Sequence, residues 1–309
     1  MPRRRGDIQN PDYVKDTLTR RSFLRRTAGL AGLTGAAAYL GFAPENWPLS
    51  LKDVTGLRSK PTEESFRLND YRIAPPPGVQ DVVVGRGGTV EQRLTKALDG
   101  IGGLAHFIKP GDIVLVKPNV AFDRSPNLGA TSDPVIMDRL VRMLLVDCRA
   151  GEVRVADNPI ESPADCFAKS GIAKAVDEAG GRIYLPDSNA FRMLNTPGAT
   201  LIENWWFMHR PLANVDKVIG VSPVKDHNLC SASMGIKNWY GLLGGRRNQF
   251  HQDIHEIVSD LSIMIRPTLS ILDGSNILMS NGPTGGDPSN VKKGDAVMVA
   301  TDPVAQDAW

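Results

Sequence analysis

The sequence predicts an α/β fold, a mainly parallel sheet flanked by helices behind an irregular N-terminal leader. Three observations lead there. Short continuous apolar runs such as Val82–Val84, Ile113–Val116 and Leu269–Leu272 alternate with helical patterns of about 12 to 17 residues, the rhythm of βαβ units with strands buried on both faces. Gly and Pro punctuate the joins between them. At 309 residues the chain can bury a sizeable core, and its 41% hydrophobic and 23% charged fractions are ordinary for a globular protein.

The elements follow in chain order. Residues 1–43 read as a leader and 44–80 as a Pro-rich tether or surface wrap ending in Pro75-Pro76-Pro77-Gly78. An α/β domain occupies 81–309. It opens with the strand Val82–Val84, a helical pattern from Val90 to Phe107, and the strand Ile113–Val116 after the turn Lys109–Asp112. Ser132-Asp133-Pro134 starts a second helix, with an N-cap and a first-turn proline, which runs to about Cys148. Strand 153–156, helix 164–179 and strand 182–185 continue the rhythm, and 187–214 breaks it. In that break Trp205-Trp206-Phe207 reads as packing against the core. Strand 217–221, helix 254–265 and strands 269–272 and 296–300 complete the pattern, and a further helix begins at Asp302-Pro303.

Charge and cysteines exclude some classes. Removing the eight basic and three acidic residues of 1–43 turns the net charge from +2 to −3, which argues against a nucleic-acid partner. The three cysteines, Cys148, Cys166 and Cys230, form no C-x-x-C, so the chain lacks iron–sulfur ligands of the usual spacing. One disulfide or buried free thiols both fit, and the apolar surroundings of Cys148 and Cys166 favour thiols.

The leader carries Thr19-Arg20-Arg21-Ser22-Phe23-Leu24, a twin-arginine pattern, before a Gly- and Ala-rich run from Ala28 to Ala43. Twin arginines ahead of an apolar segment are an export address. The expected partner is the twin-arginine export machinery and the expected location periplasmic or extracytoplasmic, with a membrane tether if the leader stays uncleaved. A stable transmembrane span is not expected, since about 20 strongly apolar residues are needed. Ala36-Ala37-Ala38 is a small-residue cleavage site, whereas a cut after Ala43 would leave Pro44 at the new N-terminus.

The candidate site follows from a rule of open α/β sheets, that ligands sit beyond the carboxyl ends of the strands. Five predicted strands run straight into polar residues: Lys117-Pro118-Asn119, Asp157-Asn158-Pro159, Ser222 to His227, Asp273-Gly274-Ser275-Asn276, and Thr301-Asp302-Pro303. Lys225 and His227 are one residue apart, so both face one way if the backbone is extended. Lys237-Asn238 reads as the first turn of a short helix whose backbone N–H groups favour a carboxylate or phosphate. On this reading Lys117, Asn119, Lys225, Lys237, Asn238 and Arg246 bind an anionic substrate. His227 is the general acid–base, and Asp273 or Asp302 orients it or a metal. His251 and His255, four apart on one helix face, are the candidate ligands of a divalent metal. The glycine-rich stretches 85–88 and 282–286 do not fit nucleotide-binding loops.

These motifs in this order resemble the twin-arginine-exported form of the domain-of-unknown-function 362 family. The matching stretches include VLVKPNV (114–120), TSDP (131–134), VADNP (155–159), VSPVKDH (221–227), GIKNWYGLLGG (235–245), HQDIHEIVSDL (251–261), IRPTLSILDG (265–274), NGPTGG (281–286) and TDPVAQDAW (301–309). The resemblance covers 80–309 and implies a domain truncated at its C-terminus. It implies a fold and a site but no reaction. Some relatives carry iron–sulfur modules, whose cysteines this chain lacks.

The expectation is an exported enzyme acting on a small anionic substrate. The alternatives are a non-catalytic cofactor- or metal-binding maturation protein and a redox accessory of an iron–sulfur partner. The cofactor is unknown from sequence.

Overall fold

In the computed structural model the described residues are 65–309. The leader 1–43 and the first part of the Pro-rich stretch lie outside them. From Ser65 the chain runs along the domain as a surface wrap. Phe66 N donates to Met193 O and Tyr71 N to Arg266 O, each at 3.1 Å, and Tyr71 is buried. The domain therefore begins before the predicted residue 81.

The strands are β1 (Val82–Arg86), β2 (Ile113–Lys117), β3 (Glu152–Ala156), β4 (Arg182–Tyr184), β5 (Phe191–Asn195), β6 (Asn204–Met208), β7 (Lys217–His227), β8 (Ser231–Ser233), β9 (Leu269–Leu278) and β10 (Val291–Ala300). β9, β7, β2, β3 and β4 lie side by side and parallel. β10 joins β9 antiparallel and β1 joins β10 antiparallel, which makes the sheet mixed. β8 folds back on the end of β7, and β5 and β6 form a separate hairpin.

The helices are α1 (Val90–Gly100), α2 (Leu104–Phe107), α3 (Pro134–Arg142), α4 (Pro163–Lys169), α5 (Ile172–Ala179), α6 (Gly235–Asn238), α7 (Ile254–Met264) and α8 (Pro303–Ala308). Two predicted helices are split. Gly102 and Gly103, at φ +109 and +80, divide α1 from α2, since positive φ is costly for other residues. Ser170 ends α4, and Gly171, in the left-handed region, starts α5.

Strand alternation sorts the core into two layers. Val114, Val116, Ile219, Val221, Leu269 and Ile271 pack with α1, α3 and α5 on one face. Leu115 and Val218 pack on the other with Trp239, Leu242, Phe207 and α7. Trp205 serves that second layer as expected: its Nε1 donates to Gly244 O at 3.0 Å and its ring meets Phe250 edge-on at 4.6 Å. All three cysteines are free thiols.

Candidate active site

A cavity of about 60 Å³ opens where β2, β3 and β7 end beneath α6. A single water needs roughly 10–15 Å³, so whatever this space encloses is small. Lys117, Asn119, Lys225, His227, Lys237, Asn238 and His251 all line it. β7 runs six residues further than predicted, through His227, so Lys225 and His227 sit on an extended strand facing the cavity together.

Lys117, fully buried at the end of β2, spends all three N–H bonds inside the protein. Its Nζ lies 2.8 Å from Asp157 Oδ1, 2.8 Å from Asn238 Oδ1 and 2.6 Å from Pro118 O. Burial still pulls its pKa below the ordinary lysine value, against the opposing charge of Asp157. Asp157 also accepts from Val120 N at 2.7 Å and Asn158 N at 3.0 Å. Gly241 permits this pair: a Cβ there would fall 2.0 Å from Asp157 Oδ1 and 2.7 Å from Lys117 Nζ.

Asn238 is the joint between elements. Its Oδ1 accepts from Lys117 and, at 3.2 Å, from Asn119 Nδ2, and its Nδ2 donates to Val221 O at 3.1 Å. Asn119 in turn accepts from Lys225 Nζ at 3.0 Å, and Ala130 O accepts a second Lys225 N–H at 2.7 Å. The Phe122 ring centroid is 5.3 Å from that nitrogen. Lys225 is 2% exposed and has no carboxylate in ion-pair contact among the described residues. Burial, with Lys237 nearby, lowers its pKa to about 7. Lys237, half-buried, stacks 5.2 Å from the Tyr240 ring and has no carboxylate partner among the described residues.

The histidines take opposite tautomers. Leu229 N donates to His227 Nδ1 at 3.2 Å, so the His227 proton sits on Nε2. His251 Nδ1 lies 3.1 Å from the Asn248 carbonyl, which only accepts, so that nitrogen carries the proton and Nε2 keeps a lone pair. The rings stack with centroids 6.3 Å apart and planes 9° apart. Burial first, then Lys237, hold the His227 pKa down at about 4, so it is neutral near pH 7.

Four predicted site residues lie elsewhere. Arg246 is exposed. The buried cation lining the cavity is its neighbour Arg247, whose Nη1 donates to Leu243 O at 3.0 Å and Nη2 to Asn158 O at 2.5 Å. Asp273 does not line the cavity: β9 continues to Leu278, so Asp273 is a buried residue within the strand, level with Pro223 of β7. It accepts from Ser275 N at 2.9 Å. Burial, followed by Asp133 at the start of α3, pushes its pKa up to about 6. Asp302 sits at the opposite edge of the sheet because β10 runs antiparallel. It is exposed there and caps α8, accepting from Val304 N at 2.8 Å. His255 is exposed on α7, which begins only at Ile254, so His251 and His255 do not share a helix face.

The short helix α6 forms, but it starts at Gly235, so Lys237 and Asn238 stand at its C-terminal end, and its first N–H groups are occupied. Asp307 accepts from Gly235 N at 2.9 Å and Ile236 N at 2.8 Å. Sequence reasoning missed Asp157, Arg247 and Tyr240 as site residues. Asp157 was visible as the polar residue directly after β3; for Arg247 no periodic signal separates it from Arg246.

The family model described as "Domain of unknown function (DUF362)" matches residues 114–309. The chain belongs to that family. A thylakoid-associated protein of Synechocystis sp. is 28% identical over 220 residues, 66% of this chain and 64% of its own length, so the chain spans less than two thirds of that relative. Among solved structures, the lactate racemase apoprotein of Thermoanaerobacterium thermosaccharolyticum aligns at a TM-score of 0.42 and 14% identity, covering 78% of this chain and 58% of that one. A Thermotoga maritima protein aligns at 0.37 and 12%, covering 65% and 54%.

Proposed function

We propose that the cavity is the active site of an enzyme that binds a small organic anion and moves a proton on it. One observation carries the reading. Lys117, Lys225, Lys237 and Arg247 converge on the cavity, and Asp157 is the one carboxylate among its described lining residues. Burying cations without counter-charge is costly, and an anionic ligand offsets that cost. Lys237 and Lys225 hold the anion, since Lys117 is saturated by the protein. His227 offers Nε2–H to an oxygen that gains charge, and His251 Nε2 accepts a proton.

The test is mass spectrometry of what freshly purified full chain releases on denaturation, followed by incubation of that molecule with the protein in D2O. A small anion that gains deuterium with the wild type but not with His251→Asn supports the reading. An anion that binds tightly, depends on Lys237 and never exchanges identifies a ligand carrier instead. Absence of any bound anion, with no binding from a panel of small carboxylates and oxyanions, overturns it.

Export by the twin-arginine route belongs to the same proposal, supported by Arg20-Arg21 and the apolar run behind them. A reporter fused to residues 1–43 reaches the extracytoplasmic side on this reading, and stays inside when both arginines become lysine. Among the described residues no helix is long and apolar enough to cross a membrane.

A further inference from the structure

Lysine normally enters a binding site as a fixed positive charge. Lys225 is placed differently. Its nitrogen has two acceptors, Asn119 Oδ1 at 3.0 Å and Ala130 O at 2.7 Å, and an aromatic ring beside it. An uncharged amine carries two N–H bonds and one lone pair, and these two acceptors match the two N–H bonds. The remaining corner of the nitrogen has no partner among the described residues and is left to the cavity that the side chain lines.

We infer that Lys225 changes charge with its ligand, uncharged while the cavity is empty and converted to ammonium when an anion enters. The inference deepens the anion-binding reading and rests on it for the identity of the trigger. The charged groups around the nitrogen come from three elements. Lys237 on α6 opposes protonation most, Asp157 after β3 favours it, and Lys117 on β2 opposes it. Lys117 and Asp157 largely cancel as an ion pair at 2.8 Å, which leaves Lys237 and burial in control. An arriving anion reverses that balance, because the ammonium then gains a counter-charge. The proton comes from solvent for a simple anion.

The test counts protons. Acetate and sulfate, neither of which titrates near pH 8, are bound to the full chain by calorimetry in two buffers of different protonation enthalpy. The expected result is uptake approaching about one proton per anion at pH 8. Lys225→Arg, which stays charged, takes up no proton with the anion it binds, whatever its affinity. Asn119→Asp sets a carboxylate against the amine and also abolishes uptake, which provides a second variant if the first does not fold. No uptake in the wild type, or unchanged uptake in either variant, overturns the inference.

If neither anion binds, the anion reading fails separately. The inference is then decided by NMR of 13C-lysine-labelled protein. A lysine signal that titrates near neutral pH and moves upward in Asn119→Asp upholds an uncharged Lys225. A Lys225 signal titrating above about pH 10 refutes it.

Discussion

The ends of β2 and β7 each bury a lysine beside the same cavity, and the two are built for opposite purposes. At the β2 end Lys117 meets a carboxylate and two carbonyl-type oxygens, so every N–H is taken. At the β7 end Lys225 meets two neutral oxygens and no carboxylate, and one corner of its nitrogen stays open. Burial depresses both. Residue type therefore says little about role here, and the partner set decides it. Lys117 with Asp157 is a strut that ties the ends of β2 and β3, whereas Lys225 is free to change protonation.

The largest effect should come from breaking the strut. Asp157→Ala strands a buried ammonium and removes the acceptor for Val120 N, and loss of one partner of a buried pair costs about 3–5 kcal/mol. Chemical denaturation should register that loss, while Lys225→Met, which removes an unpaired buried amine, should cost far less or stabilise the empty protein. If the two variants lost stability equally, the contrast between the lysines would be gone. Next comes Gly241→Ala, whose methyl group would collide with Asp157 and Lys117. Overpacking of this kind costs about 1–3 kcal/mol, and combining it with Asp157→Ala should give less than the sum of the two in the same melts.

The pH effects are smaller and separate the two ends further. An anion prefers the protonated Lys225, so its affinity should be level below about pH 7 and fall as pH rises beyond it. Lys225→Arg should flatten that fall. His227 acts on stability in acid. Its folded pKa, about 4, lies below the roughly 6.5 of an unfolded histidine, so the unfolded chain binds the proton first. Its contribution is present above pH 6.5 and lost as pH falls to about 4, and His227→Asn should remove that part of the acid limb in thermal melts. Smallest of all, Arg246→Ala and His255→Ala should change stability by less than about 0.5 kcal/mol and leave anion affinity untouched, because both side chains are exposed away from the cavity.

The course of the fold and half of the site were readable because they depend on local pattern. Apolar runs located the strands, and the one-residue spacing of Lys225 and His227 placed both on a common face once β7 proved extended. The misplaced residues share a different cause. Apolar composition does not encode strand direction, so Asp302 was assigned to the edge it actually faces away from. Strand length was also hidden: β9 continues through Asp273 to Leu278, which turns an expected loop carboxylate into a buried strand residue. Arg246 and Arg247 adjoin in an irregular segment without a period to say which points inward. His251 and His255 have helical spacing, but the helix begins between them. Asp307 shows the same limit from afar, as its link to the N-terminus of α6 joins residues about 70 apart in the chain.

The central claim, that an anion belongs between Lys225 and Lys237, is open to one direct observation. Crystals of the protein soaked in bromide would be examined by anomalous diffraction. The account predicts a bromide peak inside the cavity within contact of both lysine nitrogens, lost in Lys237→Met. Bromide confined to the outer surface, with the cavity unchanged by the substitution, would contradict it.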